Sequence, residues 1–291
     1  MSTDTSQWVH TPFGLVPESK VFRVNSHETI KVVDGRVVKA ELESGRVIAE
    51  YGEADPEAGH APYEYAAQLR EQAGVGDPDW QPAAAGYPLN GYYTSDDSIT
   101  RIQSFSTTWN VPSKPRPGFT YLYLWNGLSG GGLQPVQKWT KGRDTHQPWI
   151  VNFAYVSGAG YVHGPDKDVA PGEEVTGRVR YIGREQGGDG YVYTVSFVGH
   201  PELDLTVVRP KKQGPADGVV QCWEAYSDQP TWPTDTKVGM RKIALTMQAG
   251  TPLPPDLKWG SSGKHVETPS GKNIEVVNTS STSGEVDFYF Q

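Results

Sequence analysis

Apolar and polar residues alternate along most of the chain from residue 99 to its end. Short runs rich in valine, tyrosine, threonine and tryptophan are separated by turns that contain glycine and proline. This two-residue period is typical of half-buried strands. The pattern predicts strands at 101–111, 119–127, 132–139, 148–156, 173–183, 190–198, 203–208, 218–227, 238–247, 273–278 and 284–290.

The first part of the chain has a different pattern. Residues 20–51 alternate around Asp34-Gly35, a dipeptide that favours a tight hairpin turn, and predict two or three short strands. Residues 61–73 predict a helix, because Pro62 suits a first turn, Ala, Leu, Gln and Glu follow, and Gly74 ends the run. Residues 74–91 have no period and predict a linker or a draped extended segment.

These patterns divide the chain near residue 95. Residues 1–95 form a β-hairpin and helix region with its linker, which is either a prosegment or an integral subdomain. Residues 96–291 form the strand-rich domain. Its many short strands, 33 Gly and 23 Pro predict an all-β fold, an antiparallel β-sandwich of the concanavalin or jelly-roll type.

Charge and composition then narrow the function. A net charge of −8 gives no attraction to nucleic acid. No apolar run approaches the roughly 20 residues of a membrane helix, and the start lacks the pattern of a signal peptide, so we expect a cytoplasmic chain unless a leader was removed. The seven histidines have no metal-ligand spacing, and cofactor motifs are missing, so neither a metal nor a cofactor is expected. Cys222, the one cysteine, fits an inert core residue.

One carboxylate lies in an unusual setting. Glu224 interrupts the apolar and aromatic run VVQCWEAY at 219–226. In a strand it shares a face with Cys222 and Tyr226, and burial of that face would raise its pKa. A carboxyl group of this kind can act as a general acid or base near neutral pH. The alternative is a carboxylate paired with a base such as Arg178.

A longer segment carries a family resemblance. Val111-Pro112 ends one strand, Trp125 and Gly127 end the next, and a glycine loop leads to Leu133-Gln134. This order resembles the eqolisin-type glutamic peptidases over residues 98–291. The resemblance implies a Gln134/Glu224 dyad in which Glu224 activates water and Gln134 orients it and stabilises the oxyanion. The chain departs from the family pattern at Pro135-Val136 and Ser129.

Aromatic residues cluster around these two positions. We interpret the cluster as either sandwich core or a groove that binds a peptide or a sugar ring. The alternative functions are therefore a carbohydrate-binding β-sandwich module and a cytoplasmic tailoring enzyme that uses the same acid on a small molecule. The candidate substrate-binding residues are Trp125, Trp139, Trp149, Tyr155, Tyr161 and Trp223.

Overall fold

The structure is a computed structural model, and twenty strands and one α-helix lie in its described residues. Those residues are 8–54, 62–74, 86–92, 102–114, 119–128, 132–140, 149–156, 160–188, 190–209, 218–227, 233–261 and 274–289. The elements up to residue 92 are β1 (Trp8–Thr11), β2 (Gly14–Pro17), β3 (Val21–Arg23), β4 (Glu28–Val33), β5 (Arg36–Glu41), β6 (Val47–Glu53), α1 (Pro62–Ala73) and β7 (Gly86–Tyr92).

The remaining elements are all strands. They are β8 (Ile102–Asn110), β9 (Phe119–Leu128), β10 (Gln134–Thr140), β11 (Trp149–Val156), β12 (Gly160–Asp168), β13 (Glu174–Arg184), β14 (Tyr191–Phe197), β15 (Leu205–Arg209), β16 (Val219–Ser227), β17 (Lys237–Met247), β18 (Lys258–Ser261), β19 (Ile274–Asn278) and β20 (Gly284–Tyr289).

Two sheets pack face to face. The larger sheet has the described order β18-β7-β16-β9-β10-β11-β12-β3, and the smaller sheet β15-β14-β13-β8-β17-β20-β19. Large side chains such as Trp109, Phe105 and Trp223 fill the space between them and are at most 1% exposed. The predicted all-β sandwich is confirmed.

The N-terminal elements build onto this sandwich in three ways. Strand β3 extends the larger sheet by pairing parallel to β12. Strands β4, β5 and β6 form a separate hairpin sheet, whose Ile30 and Val37 join the core between the two large sheets. The β1–β2 hairpin and α1, together called the cover, lie on the larger sheet's far side, where Phe13 and Tyr65 are buried.

Local signals explain the first hairpin of this region. Asp34 and Gly35 have φ values of 48° and 76°, the left-handed backbone that a two-residue hairpin turn requires. Val33 therefore pairs with Arg36 across the turn. The predicted helix is also present, beginning at Pro62 as expected.

Part of the predicted linker is a strand. β7 at 86–92 lies between β16 and β18, although it contains Pro88. A proline has no N–H for a ladder hydrogen bond and is normally confined to edges. Strand β18 pairs only with residues 89–92, so among the described residues Pro88 has a strand partner on one side alone. None of the helices in the described part of the chain has the length and apolar character needed to span a membrane.

Candidate functional site on the outer face

The larger sheet has an outer face that points away from the smaller sheet. Tyr123, Trp125, Val136 and Cys222 define it, and their side chains pack with the cover in a core of their own. Residues one position along the same strands, such as Leu124 and Trp223, belong instead to the core between the sheets. Strand alternation therefore gives the larger sheet two buried faces.

Gln134 belongs to the outer face because of a close backbone approach. Gly127 stands where strand β9 meets the segment that enters β10, and a Cβ at this glycine would lie 2.5 Å from the Leu133 carbonyl oxygen. The same Cβ would lie 3.4 Å from Gln134 Cγ, so the glutamine side chain fills the space that glycine leaves. This contact gives a physical reason for glycine at the third position of the Trp125–Gly127 motif.

Gln134 is buried in an unusual way. Its side chain is 2% exposed, and its Oε1 has no hydrogen-bond partner among the described atoms. The indole Nε1 of Trp125, on the same face, is also buried without one. Leaving a buried polar group unpaired costs roughly 1–3 kcal/mol. Such groups are rare in folded chains, and each requires an explanation.

The sheet register separates Gln134 from Glu224. The bridge and pairing between β9 and β10 place Gln134 opposite Gly127, which pairs in turn with Val220. Glu224 lies four residues further along β16, where it pairs with Tyr123. The two positions are thus roughly 10 Å apart across the strands and roughly 13 Å apart along them. The side chain of Glu224 lies outside the described part of the structure.

A buried lysine shares the row of Glu224. Lys138 pairs with Tyr123, and Tyr123 pairs with Glu224, so the three backbone positions form one line across β10, β9 and β16. Lys138 is 9% exposed, and its Nζ lies 5.4 Å from the ring centre of Tyr121 and 5.8 Å from that of Tyr123. Sequence reasoning missed Lys138, because no motif links it to Glu224 and only the register brings the two rows together.

Two histidines also lie on this face. His10, in the cover, stacks on Tyr121 with ring centres 4.0 Å apart. Burial, and then the charge of Lys138, lowers the pKa of His10 to about 4. His163 continues the row of Gln134, because Gln134 pairs with Phe153 and Phe153 pairs with His163. Burial, and then the charge of Arg23, lowers the pKa of His163 to about 4 as well.

The predicted aromatic residues fall into three groups. Trp139 and Trp223 are buried in the core between the sheets. Trp125 and Tyr161 are buried on the outer face, and Tyr161 stacks with Phe13 of the cover at a ring distance of 5.2 Å. The side chains of Trp149 and Tyr155 lie outside the described part of the structure. No indole or phenol of the first two groups is offered to solvent as a stacking surface, since each is at most 7% exposed.

Comparison with known proteins gives weak structural similarity. No family model matches the chain, and no curated protein matches it in sequence. Scytalido-glutamic peptidase, solved with a peptide-based transition-state analog, aligns at a TM-score of 0.41 and 10% identity over 70% of this chain and 98% of its own.

Two further solved structures align less well. A homodimeric agglutinin from chicken liver has a TM-score of 0.30 and 10% identity over 56% of this chain and 100% of its own. Galectin-Ib of Xenopus laevis has a TM-score of 0.28 and 12% identity over 56% and 100%. These similarities are too low to assign the chain to either family.

Proposed function

We propose that the chain is a hydrolase whose reaction takes place on the outer face of the larger sheet. The observation that carries this proposal is the set of buried polar groups on that face: the unpartnered amide oxygen of Gln134, the unpartnered indole N–H of Trp125 and the buried ammonium group of Lys138. Unpartnered atoms also occur on the inner face, at Gln137 Nε2 and Gln221 Oε1, but on the outer face they share a face with the buried cation Lys138. Active sites are where such costs are offset by function.

Glu224 acts as the general base in this proposal. Its carboxylate accepts a proton from a water molecule as the water oxygen attacks a substrate carbonyl carbon, and it returns a proton to the leaving group when the bond to that group breaks. Directly paired residues of antiparallel strands share a face, so position 224 belongs with Tyr123 on the outer face. This pairing supports the predicted role of Glu224.

The oxyanion donors differ from the first expectation. Lys138 lies in the same row as Glu224, and Tyr123 lies between them, so an ammonium group and a phenol hydroxyl can donate to the negative charge that develops on the carbonyl oxygen. Gln134 is four residues out of register. We assign it to binding the substrate further along the strands, where its amide oxygen would find the partner that it lacks among the described residues.

The cover controls access to this site. Phe13 and Val16 are fully buried, and the Nη1 of Arg70 on α1 donates to the Leu15 carbonyl oxygen at 3.1 Å, which ties the helix to the hairpin. A substrate reaches the outer face only when the hairpin moves. Since β3 and β7 belong to the larger sheet, we propose that the N-terminal region is an integral subdomain and that only its hairpin opens.

A peptide or another carbonyl substrate fits this arrangement better than a sugar. A sugar site needs exposed aromatic faces, and the described candidate rings are buried in the core or beneath the cover. A peptide can enter as an extended segment along a sheet face. A tailoring reaction on a small carbonyl compound would use the same residues.

The test is Glu224→Gln, assayed for new amino termini on a denatured protein substrate from pH 2 to 7. The full chain and a variant that lacks residues 1–17 are both measured. We expect the wild type to cleave, the hairpin deletion to cleave faster, and Glu224→Gln to lose at least about a hundredfold in rate, the lower range for a general base. Glu174→Gln is the matched control, because Glu174 is exposed and pairs with Lys242 on the smaller sheet.

Two results would overturn the peptidase proposal. One is equal cleavage by Glu224→Gln and the wild type. The other is that neither the full chain nor the hairpin deletion cleaves the substrate, while circular dichroism shows that both are folded β proteins.

A further inference from the structure

A cavity of about 280 Å³ opens at the edge of the larger sheet, where β3 meets the hairpin sheet. It lies beyond the proposed catalytic row: three strand spacings, roughly 14 Å, separate β3 from β10 with Lys138, and five, roughly 24 Å, separate it from β16. Its lining residues come from β3, the turn that follows it, β5 and β12. They are Arg23, Val24, Asn25, Lys39, His163, Gly164, Pro165 and Asp166.

Arg23 supplies a positive charge that forms no ion pair within the described structure. Its side chain is exposed, and no hydrogen bond or ion pair joins it to another described residue. Lys39 differs, since its Nζ lies 3.0 Å from Glu28 Oε2, a carboxylate that also accepts from the Asn25 N–H at 2.9 Å. The arginine guanidinium is therefore the charged donor left to bind a ligand.

The local potential is positive. The pKa of His163 is lowered to about 4 mainly by burial, and next by the charges of Arg23 and Lys138. Asp166, the single acidic side chain among the lining residues, opposes this with a smaller effect. Burial is the largest cause of this low pKa, and the charges that act on His163 sum to a positive one.

We propose that this cavity binds a small anion, a phosphate or carboxylate group, with Arg23 as its main ligand and Lys39 as a second cation. The planar guanidinium presents paired N–H donors that match both kinds of anion. The volume is slightly below the 300–1,000 Å³ typical of pockets for drug-sized ligands, so the ligand is one anionic group with a small substituent. This proposal does not depend on the hydrolase activity.

The experiment is a titration of the full chain followed by ¹H–¹⁵N spectra at pH 7. Sodium phosphate, sodium malonate and glucose are added separately, with the ionic strength held constant by sodium chloride. We expect saturable shifts of the Val24, Asn25 and Gly164 amides with phosphate, malonate or both, and the pattern tells a phosphate ligand from a carboxylate. Glucose is expected to leave these amides unchanged.

Substitutions then locate the charge that matters. Arg23→Gln should weaken the anion affinity at least about tenfold, the loss expected for a charge-assisted hydrogen bond. Arg36→Gln is the control, since Arg36 lies on the same hairpin sheet but pairs with Glu50 and does not line the cavity. The exposed position of Arg23 means that its replacement should leave the fold intact, which the spectrum itself reports.

Three results would overturn the proposal. The first is that neither anion gives saturable shifts at the three amides of the wild type. The second is that Arg23→Gln binds the anion with wild-type affinity. The third is that glucose alone shifts the amides. The last result would identify the cavity as a site for a neutral, hydroxylated ligand instead.

Discussion

The two faces of the larger sheet are both buried, and they differ in what their polar side chains contact. On the inner face the Trp109 indole N–H donates to Gln137 Oε1 at 2.9 Å, and Gln221 donates to the hydroxyl of Thr107. These bonds link the two sheets across the core. On the outer face Gln134 Oε1 and Trp125 Nε1 have no such partners in the described structure. The inner face is tied to the second sheet, although Gln137 Nε2 and Gln221 Oε1 there also lack partners in the described structure. The outer face keeps polar groups that a bound molecule could satisfy.

The largest expected effect is on the rate of thiol modification. It tests whether the cover can open while the core between the sheets stays closed. Phe13→Ala should cost about 3–5 kcal/mol in the packing of the cover. Cys222 lies beneath that cover, fully buried, and is the chain's one thiol. We expect its reaction with a thiol reagent to accelerate by roughly two to three orders of magnitude, since each 1.4 kcal/mol corresponds to a factor of ten.

The control for this measurement is Phe105→Ala on the inner side. Phe105 is also 0% exposed, so its loss should destabilise the whole sandwich to a similar extent. Cys222 should then become reactive only in step with global unfolding, as denaturant titration shows. Equal thiol reactivity in both variants without denaturant would mean that the two faces open together.

A second prediction compares two tryptophans. Trp109→Phe leaves Gln137 Oε1 buried without its donor, whereas Trp125→Phe removes an N–H that has no acceptor among the described residues. Both changes remove the same atoms. Trp109→Phe should therefore lower the free energy of unfolding by about 1–3 kcal/mol more than Trp125→Phe. Urea titrations measure the difference. Equal losses of stability would contradict the expected difference between the two indole N–H groups.

The last prediction concerns the effect of acid on stability. The folded pKa of His163 lies near 4, below its ordinary value of 6.5, so between these values the unfolded chain binds a proton that the folded chain does not. The free energy of unfolding should thus fall as the pH drops from 6.5 towards 4, by up to about 1.4 kcal/mol per pH unit. His10 adds an effect of the same sign.

His163→Gln should flatten this pH dependence. Urea titrations of the wild type and the variant at pH 6.5, 5.5 and 4.5 measure it, with His200→Gln as the matched variant because His200 lies near the surface beside Lys167 and Glu202. If His163→Gln and His200→Gln reduce the pH dependence of the unfolding free energy equally, that dependence does not arise from the outer face.

Much of the fold could be predicted because strand alternation is a local signal. The strand predicted at 119–127 spans Phe119–Leu128, and that at 218–227 spans Val219–Ser227. β12 was not predicted, since Gly164 and Pro165 interrupt its pattern. Its sheet context tolerates them, because β3 pairs only with residues 161–163, and in the described structure the proline has no strand partner on that side.

The candidate site could be predicted only in part. Sequence alternation assigns Glu224 and Cys222 to one face, because that depends on neighbours along one strand. The pairing of Lys138 with Tyr123, and of Tyr123 with Glu224, joins three segments distant in the chain, and a register shift of one residue would place different side chains together. The cover was missed for the same reason: nothing local in residues 8–17 indicates which surface they pack on.

The position of β7 between two other strands has a consequence for how the chain folds. Its partners β16 and β18 are made late in synthesis, so β7 leaves the ribosome long before either neighbour exists. The hairpin sheet β4–β6 depends on contacts close in sequence and can form at once, while the larger sheet must wait for nearly the whole chain. We therefore expect slow refolding, with a late step in which β7 is inserted, and a nascent chain that depends on chaperones until that step.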